Sequence, residues 1–226
     1  IICKCCEWCM PRVIYFFSGI DGAGKSTHSK LLTCYLVKKC NCKVRLVWMR
    51  WFALTSYPLL AICRFLGLTL RPRGSTIPLR LYWMVKPISR LWLNLFLLDY
   101  AIYASYVSAN LFCRKSVVVA DRFALDILVD VIYDTRLNPL KHLVGRFFYL
   151  LLYKLLRTGK ARGVVMLVDE ETVFSRRKDI PLRSYVRFRI PIYRKLAKHL
   201  GLPVIDGRAE LTENFKIVLK AVGVNG

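Results

Sequence analysis

FSGIDGAGKST, at residues 17–27, is the stretch that decides the fold of this chain. It contains the pattern G-x-x-x-x-G-K-S, preceded by an apolar run at 13–17 and followed by a helical stretch to about Lys39. Glycines in such a turn let the backbone wrap an anion with its N–H groups facing inward, and the start of the next helix adds positive potential. The stretch therefore predicts a phosphate-binding loop between a strand and a helix.

Each position of this loop has an expected role in binding a nucleoside polyphosphate. Lys25 is placed to reach the β- and γ-phosphates, and Ser26, assisted by Thr27, is placed to give a hydroxyl ligand to Mg²⁺. Asp21 is unusual here, because a carboxylate repels phosphate, so we expect its side chain to turn away from the donor. The predicted cofactor-binding residues are Gly19, Asp21, Gly22, Ala23, Gly24, Lys25, Ser26 and Thr27.

Four further short apolar runs, at 44–49, 117–120, 164–168 and 204–205, alternate with helical segments. This alternation predicts an α/β fold with a five-stranded parallel sheet and helices on both of its faces. We expect a single domain over residues 11–226 and an N-terminal tail over residues 1–10. Asp126, Asp130 and Asp134 recur at a spacing of four and so share one helix face.

The composition excludes two classes of protein and suggests the charge of the partners. Of 226 residues, 55% are hydrophobic, which excludes a disordered chain, and nine cysteines are too few for a small disulfide scaffold. With 37 Lys and Arg against 14 Asp and Glu, the net charge is +23, which favours anionic partners. Cys3, Cys5, Cys6 and Cys9 could hold a metal, but no second cysteine pair at zinc-finger spacing follows them.

One segment, 91–113, is long enough to cross a bilayer. Asp99 lies near its middle, where a carboxylate is costly, and Asn94 and Asn110 add polarity. We therefore expect a buried helix and no transmembrane span. The chain carries no recognisable signal peptide ahead of the first strand, and a cytoplasmic location is expected.

Four sequence pieces resemble the thymidylate kinase family of P-loop nucleoside monophosphate kinases. They are FSGIDGAGKST at 17–27, VVVADRF at 117–123, SRRK at 175–178 and VIDG at 204–207, and their order and spacing follow the family over about 13–222. The guanine-reading motif N-K-x-D of GTPases is absent from the sequence. The resemblance implies a kinase that uses ATP and Mg²⁺, with a helical lid at 175–190 and an acceptor-side helical region at 51–113.

The resemblance also implies roles for individual residues. Asp121 would hold Mg²⁺, Arg122 would clamp the acceptor phosphate, and Asp21 would lie near the acceptor's sugar hydroxyl. Arg176 and Arg177 fall in the lid and would supply the catalytic cation, with Arg183, Arg187 and Arg189 as further candidates. Asp206 would lie beside the adenine base. The implied reaction converts dTMP to dTDP, and the implied assembly is a homodimer.

The acceptor half departs from the family. Arg50 matches an acceptor-phosphate arginine in position only, because the usual R-x-P-G-G-T loop is replaced by MRWFALT. Tyr103, with Tyr100 and Tyr106, either stacks on a base or packs in the core. Two alternatives therefore stay open. One is a kinase for a nucleoside, another monophosphate or an apolar alcohol; the other is a non-catalytic nucleotide-binding protein whose basic surface contacts nucleic acid or membrane.

Overall fold

Five parallel strands form the central sheet of the structure, a computed structural model that describes residues 13–40, 43–49, 53–75, 77–114, 117–180 and 182–224. In chain order they are β1 (Ile14–Gly19), β2 (Val44–Trp48), β3 (Val117–Asp121), β4 (Ala161–Leu167) and β5 (Val204–Asp206). Their order across the sheet is β2-β3-β1-β4-β5. The predicted five-stranded parallel sheet is confirmed.

The register of the sheet brings the candidate site residues together at the carboxyl ends of the strands. Phe17 of β1 lies opposite Asp121 of β3, and Gly19 of β1 lies opposite Met166 of β4. The interior strands are built almost entirely of buried apolar residues, as in sheets that are covered on both faces. The loops that follow β1, β3, β4 and β5 therefore meet at the carboxyl edge, where parallel sheets bind ligands.

Eight helices flank the sheet within the described part of the chain. They are α1 (Lys25–Cys40), α2 (Tyr57–Phe65), α3 (Lys86–Arg114), α4 (Ala124–Thr135), α5 (Leu143–Arg157), α6 (Glu170–Arg176), α7 (Arg183–Leu200) and α8 (Leu211–Ala221). Two short 3₁₀ turns, Tyr82–Met84 and Pro139–Lys141, precede α3 and α5. The region before α3 also contains a two-stranded hairpin, Thr69–Leu70 with Leu79–Arg80, which the sequence did not predict.

Asp99 is buried in the middle of α3 and holds the start of α2. Its carboxylate accepts hydrogen bonds from the backbone N–H groups of Leu54, Thr55 and Ser56, at 2.6–3.1 Å. It also accepts from the side-chain hydroxyls of Thr55 and Ser56, at 2.5–2.7 Å. Burial alone raises the pKa of Asp99, but the hydrogen bonds from Ser56 and Thr55 outweigh it and hold the pKa below its ordinary value. The acid within the apolar segment is therefore a helix-organising group.

Over the ranges that the structure describes, no helix has the length and apolar character needed to cross a membrane. Within the same ranges, no group of three or more His, Cys, Asp and Glu side chains is arranged to hold a metal ion. The predicted tail at 1–10, its four cysteines and Arg50 lie outside the described residues. The boundaries of the single domain, the acceptor-side region and the lid stay predictions.

Candidate active site

The loop between β1 and α1 has the backbone conformation that its glycines permit. Gly19, Gly22 and Gly24 all have positive φ, at 134°, 82° and 88°. Gly19 is also confined by space, because a Cβ there would lie 1.9 Å from the carbonyl oxygen of Met166. Glycine at the end of β1 is therefore required both by the turn and by the close approach of β4.

Lys25 is a buried amine at the start of α1 that hydrogen-bonds to a backbone carbonyl oxygen of the loop. The side chain is 5% exposed, and Nζ donates to the carbonyl oxygen of Ile20 at 2.6 Å. Burial, followed by repulsion from Arg122, lowers the pKa of Lys25 to about 7, against attraction from Asp21 and other carboxylates. An anion bound in the loop would favour the charged form of Lys25 and so offset both of these contributions. Ser26 and Thr27, the next two residues, are exposed in the first turn of α1.

Arg122 is the centre of a buried charge cluster that the sequence did not predict. Its Nη2 donates to Oδ1 of Asp21 in the phosphate loop, and its Nη1 lies 3.5 Å from Oδ1 of Asp126. Burial alone lowers the pKa of Arg122, but the two carboxylates outweigh it and raise the pKa above its ordinary value. Arg122 also has a φ of 74°, a conformation that is strained for a side chain other than glycine.

Asp126 connects this cluster to the backbone of the loop. One of its oxygens accepts from the N–H of Gly19 at 3.2 Å and from the hydroxyl of Tyr193 at 2.8 Å. The other accepts from the N–H of Phe123 at 3.1 Å and so caps α4. A single carboxylate on α4 therefore positions both the phosphate loop and Arg122.

Asp121 ends β3 next to Lys25 and is suited to a magnesium ion. Its side chain is partly buried, and no residue that the structure describes hydrogen-bonds to its carboxylate. Its charge raises the pKa of Lys25, which places the two groups within electrostatic reach. The carboxylate of Asp121 and the hydroxyl of Ser26 are oxygen donors of the kind that Mg²⁺ prefers, so the residues present fit the ion.

The two predicted lid arginines lie against the phosphate loop but make different contacts. Nη1 of Arg176 donates to the carbonyl oxygens of Gly22, at 3.1 Å, and Gly207, at 3.0 Å. Arg177 instead makes a two-pronged ion pair with Asp179, with both bonds at 2.7 Å. The end of α6 is therefore docked on the loop.

The other lid candidates, Arg183, Arg187 and Arg189, pair with acids of the helices, and Asp21 of the loop also helps to raise the pKa of Arg189. Arg183 and Arg187 pair with Glu170 at the start of α6. Arg189 is buried within α7 and pairs with Asp130 of α4.

Asp206 belongs to the turn after β5 that meets the loop. Hydrogen bonds from Arg208, with N···O distances of 2.6–3.0 Å, hold the pKa of Asp206 below its ordinary value. Arg208 also pairs with Asp169 at 2.7 Å. At the next residue, Gly207, a Cβ would lie 2.4 Å from the carbonyl oxygen of Ala23, so this turn packs directly on the phosphate loop.

A cavity of about 290 Å³, here called the α4 cavity, is walled by charged residues of α2, α4 and α7 and by the hairpin region. Its lining residues are Trp48, Arg64, Arg71, Ile77, Pro78, Arg80, Phe96, Asp130, Asp134, Tyr185 and Arg189. Two buried ion pairs stand in its wall: Arg80 with Asp134, at 3.0 Å, and Arg189 with Asp130. Burial raises the pKa of Asp134 to about 6, although Arg80 opposes the shift.

Most of these cavity residues were missed by the sequence reasoning. The spacing of Asp126, Asp130 and Asp134 was the available signal, since three acids on one face of a buried helix require cations. Tyr100 is buried against Phe148 and packs in the core. The hydroxyl of Tyr103 donates to the carbonyl oxygen of Trp48 at 3.3 Å, and its proposed contact with a base stays a prediction.

The sheet order, with its glycine-rich loop between β1 and α1, defines the class of protein: a P-loop NTPase fold. Among solved structures, the thymidylate kinase from Ehrlichia chaffeensis is similar, with a TM-score of 0.52 and 18% identity. The similarity covers 93% of this chain and 98% of that chain. No protein-family model matches the chain, and no curated protein matches it either. At this identity the likeness supports the fold.

Proposed function

We propose that this protein is a nucleoside monophosphate kinase that transfers the γ-phosphoryl group of ATP to an acceptor phosphate, with dTMP as the first acceptor to test. The observation that carries the proposal is the joint placement of Lys25 and Arg122, two buried cations of neighbouring loops at one edge of the sheet. Lys25 binds the donor phosphates, and Arg122 binds the acceptor phosphate. A protein that binds a single nucleotide without transferring phosphate does not require a second buried cation such as Arg122.

The proposed chemistry needs positioning and charge neutralisation but no general base, because a phosphate oxygen is already nucleophilic. The loop N–H groups and Lys25 hold the donor tail. Asp21 and Asp126 keep the guanidinium of Arg122 in place, and its fork suits an acceptor phosphate. Arg176 lies over the loop, where it neutralises charge and helps to exclude water. Asp121 and Ser26 would hold Mg²⁺, which supplies charge neutralisation on the phosphates.

The α4 cavity is the proposed site for the base of the acceptor, and the acceptor phosphate is assigned to Arg122, on which the lining residue Asp130 also acts electrostatically. The cavity offers hydrogen-bond donors from Arg64, Arg71 and two buried ion pairs, and its three aromatic rings are those of Trp48, Phe96 and Tyr185. That arrangement favours an acceptor with a polar base over an apolar alcohol. A nucleoside monophosphate other than dTMP is accordingly the second candidate.

The test is an assay of ADP formation with MgATP and a panel of acceptors: dTMP, dUMP, dCMP, UMP, CMP and thymidine. We expect a monophosphate to be phosphorylated and thymidine to be inert. Lys25→Met is expected to lower kcat about a hundredfold or more, because it removes a cation at the transferring group. Lys38→Met, at an exposed lysine near the end of the same helix, is the matched control and keeps wild-type kcat.

Two outcomes contradict the proposal. If no acceptor in the panel yields ADP above the acceptor-free rate while MgATP still binds, the protein is a nucleotide-binding protein and not this kinase. If thymidine is phosphorylated in preference to every monophosphate, the role of Arg122 as the acceptor-phosphate clamp is wrong.

We further propose a homodimer that pairs through α3. Leu91, Leu98 and Ile102 lie on one face of this helix, and each is 40–48% exposed. Between residues 91 and 109 the only formal charge is the buried Asp99, so two copies of the face meet without like-charge repulsion.

A further inference from the structure

The helix α5 carries apolar side chains on two sides, one packed against the protein and one exposed to solvent. Gly145, Phe148 and Leu152 pack inward. On the opposite side lies an exposed face, here called the α5 stripe, in which Leu143 is 85% and Phe147 is 68% exposed. At 3.6 residues per turn its members fall within one face; they are Leu143, Val144, Phe147, Leu150 and Leu151. Contiguous apolar surface of this kind marks an interaction site.

The charge around the stripe is of one sign. From residue 135 to residue 168 the sequence contains no Asp or Glu, whereas Lys and Arg occur at 136, 141, 146, 154, 157, 160 and 162. Lys154 lies in the last turn of the stripe, and Arg146 and Arg157 lie along one side of it, all exposed. Tyr153 accepts a hydrogen bond from Nε of Arg157 at 2.9 Å and so fixes that guanidinium beside the stripe.

The basic residues around the α5 stripe favour one kind of partner over another. A second copy of this chain, paired through the same face, would bring Arg146, Lys154 and Arg157 against identical cations with no acid on α5 to balance them. An anionic lipid surface matches both properties, since acyl chains accept the apolar side chains and headgroups accept the cations. Lys154 can extend its ammonium to the headgroup level while its stem stays among the apolar side chains.

We propose that the α5 stripe docks this protein on an anionic membrane surface, with α5 lying in the plane of the interface. The docking face is separate from the phosphate loop and its charge cluster, and the proposal stands whether or not the kinase activity is found. It also gives the excess of basic residues in 135–168 a role that nucleotide binding does not require.

The test measures co-sedimentation of the full chain with vesicles of phosphatidylcholine alone or with about 30% phosphatidylglycerol. We expect binding to the anionic vesicles that weakens as salt is added, and little binding to the neutral ones. Phe147→Ser/Leu150→Ser is expected to lower the partition coefficient at least about tenfold. Phe65→Ser is the matched control, because Phe65 is 92% exposed on α2 and its loss should leave binding unchanged.

A second variant separates the charge from the apolar contact. Arg146→Glu/Lys154→Glu keeps every apolar side chain of the stripe and is expected to abolish the preference for anionic vesicles. MgATP affinity and thermal unfolding, measured for each variant, should match the wild type because all the replaced side chains are exposed.

Three results overturn the proposal. The first is wild-type protein that binds neither vesicle, or binds both equally. The second is Phe147→Ser/Leu150→Ser protein that binds anionic vesicles as well as the wild type does, which makes the attraction a general effect of the +23 charge. The third is a wild-type dimer that this double variant converts to a monomer, which assigns the stripe to a second copy of the chain.

Discussion

The buried ammonium of Lys25 predicts that nucleotide binding takes up protons at neutral and alkaline pH. In the free protein the pKa of Lys25 is about 7, against an ordinary value of 10.5, because burial and Arg122 disfavour the charged form. The phosphates of a bound nucleotide favour the charged form. Above pH 7 the free protein therefore loses this proton while the complex keeps it, and affinity must fall as the pH rises.

The expected change in MgATP affinity follows from the two pKa values of Lys25, about 7 in the free protein and 10.5 as the ordinary value. If bound phosphates restore the ordinary pKa of Lys25, the apparent Kd for MgATP rises about twentyfold between pH 7.5 and pH 9. Proton uptake on binding is about half a proton at pH 7 and approaches one proton by pH 8.5. The phosphate itself contributes little in this window, because its second ionisation lies near pH 6.

Calorimetry in pairs of buffers with different ionisation heats measures both the Kd and the number of protons taken up. Lys25→Arg is the control, since a guanidinium stays charged over the whole range and should give a Kd that changes little between pH 7.5 and pH 9. If the wild type takes up no protons and its Kd is as flat as that of Lys25→Arg, the buried, weakly basic ammonium is refuted.

The remaining predictions concern the supports of the site. Gly19→Ala should lower the free energy of unfolding, measured by urea denaturation, by at least about 3 kcal/mol, because the new Cβ meets the β4 backbone. The control Gly159→Ala has a positive φ but open space around it, and it should lower the same free energy by only about 1 kcal/mol. Equal losses in the two variants would contradict the steric argument. Asp99→Asn should lower the unfolding free energy by about 2 kcal/mol through the start of α2, and an unchanged urea midpoint would argue against that role. Arg122→Lys should raise the KM of the acceptor more than that of MgATP, and the opposite ranking in steady-state assays would assign Arg122 to the donor. Leu98→Asp should yield a monomer in sedimentation analysis, whereas an intact dimer would exclude α3 as its interface.

The sequence predicted the parts of this fold that local patterns determine. Five apolar runs became five strands, and G-x-x-x-x-G-K-S became the loop before α1, because buried strands and phosphate loops need particular residue types at short spacing. The pairing of Asp21 with Arg122 spans 101 residues, and no short-range pattern encodes it. The same holds for the contacts of Asp99 with the segment before α2.

The hairpin over 69–80 was missed for a different reason. Its strands are two residues each, so no alternation of apolar and polar residues can develop. The acids of α4 were seen at their spacing of four, but their partners come from the loop after β3, from α7 and from the hairpin. Only the folded chain brings Arg122, Arg189 and Arg80 to one helix.

That arrangement on α4 has a consequence for how the two ligands interact. Asp126 accepts a hydrogen bond from the phosphate loop. Asp130 and Asp134 lie one and two turns further along α4 and line the α4 cavity. An occupant that draws Arg189 or Arg80 away from its carboxylate leaves uncompensated negative charge next to Asp126. Donor and acceptor affinities should therefore depend on each other, and the same coupling factor should appear in whichever order the two are titrated.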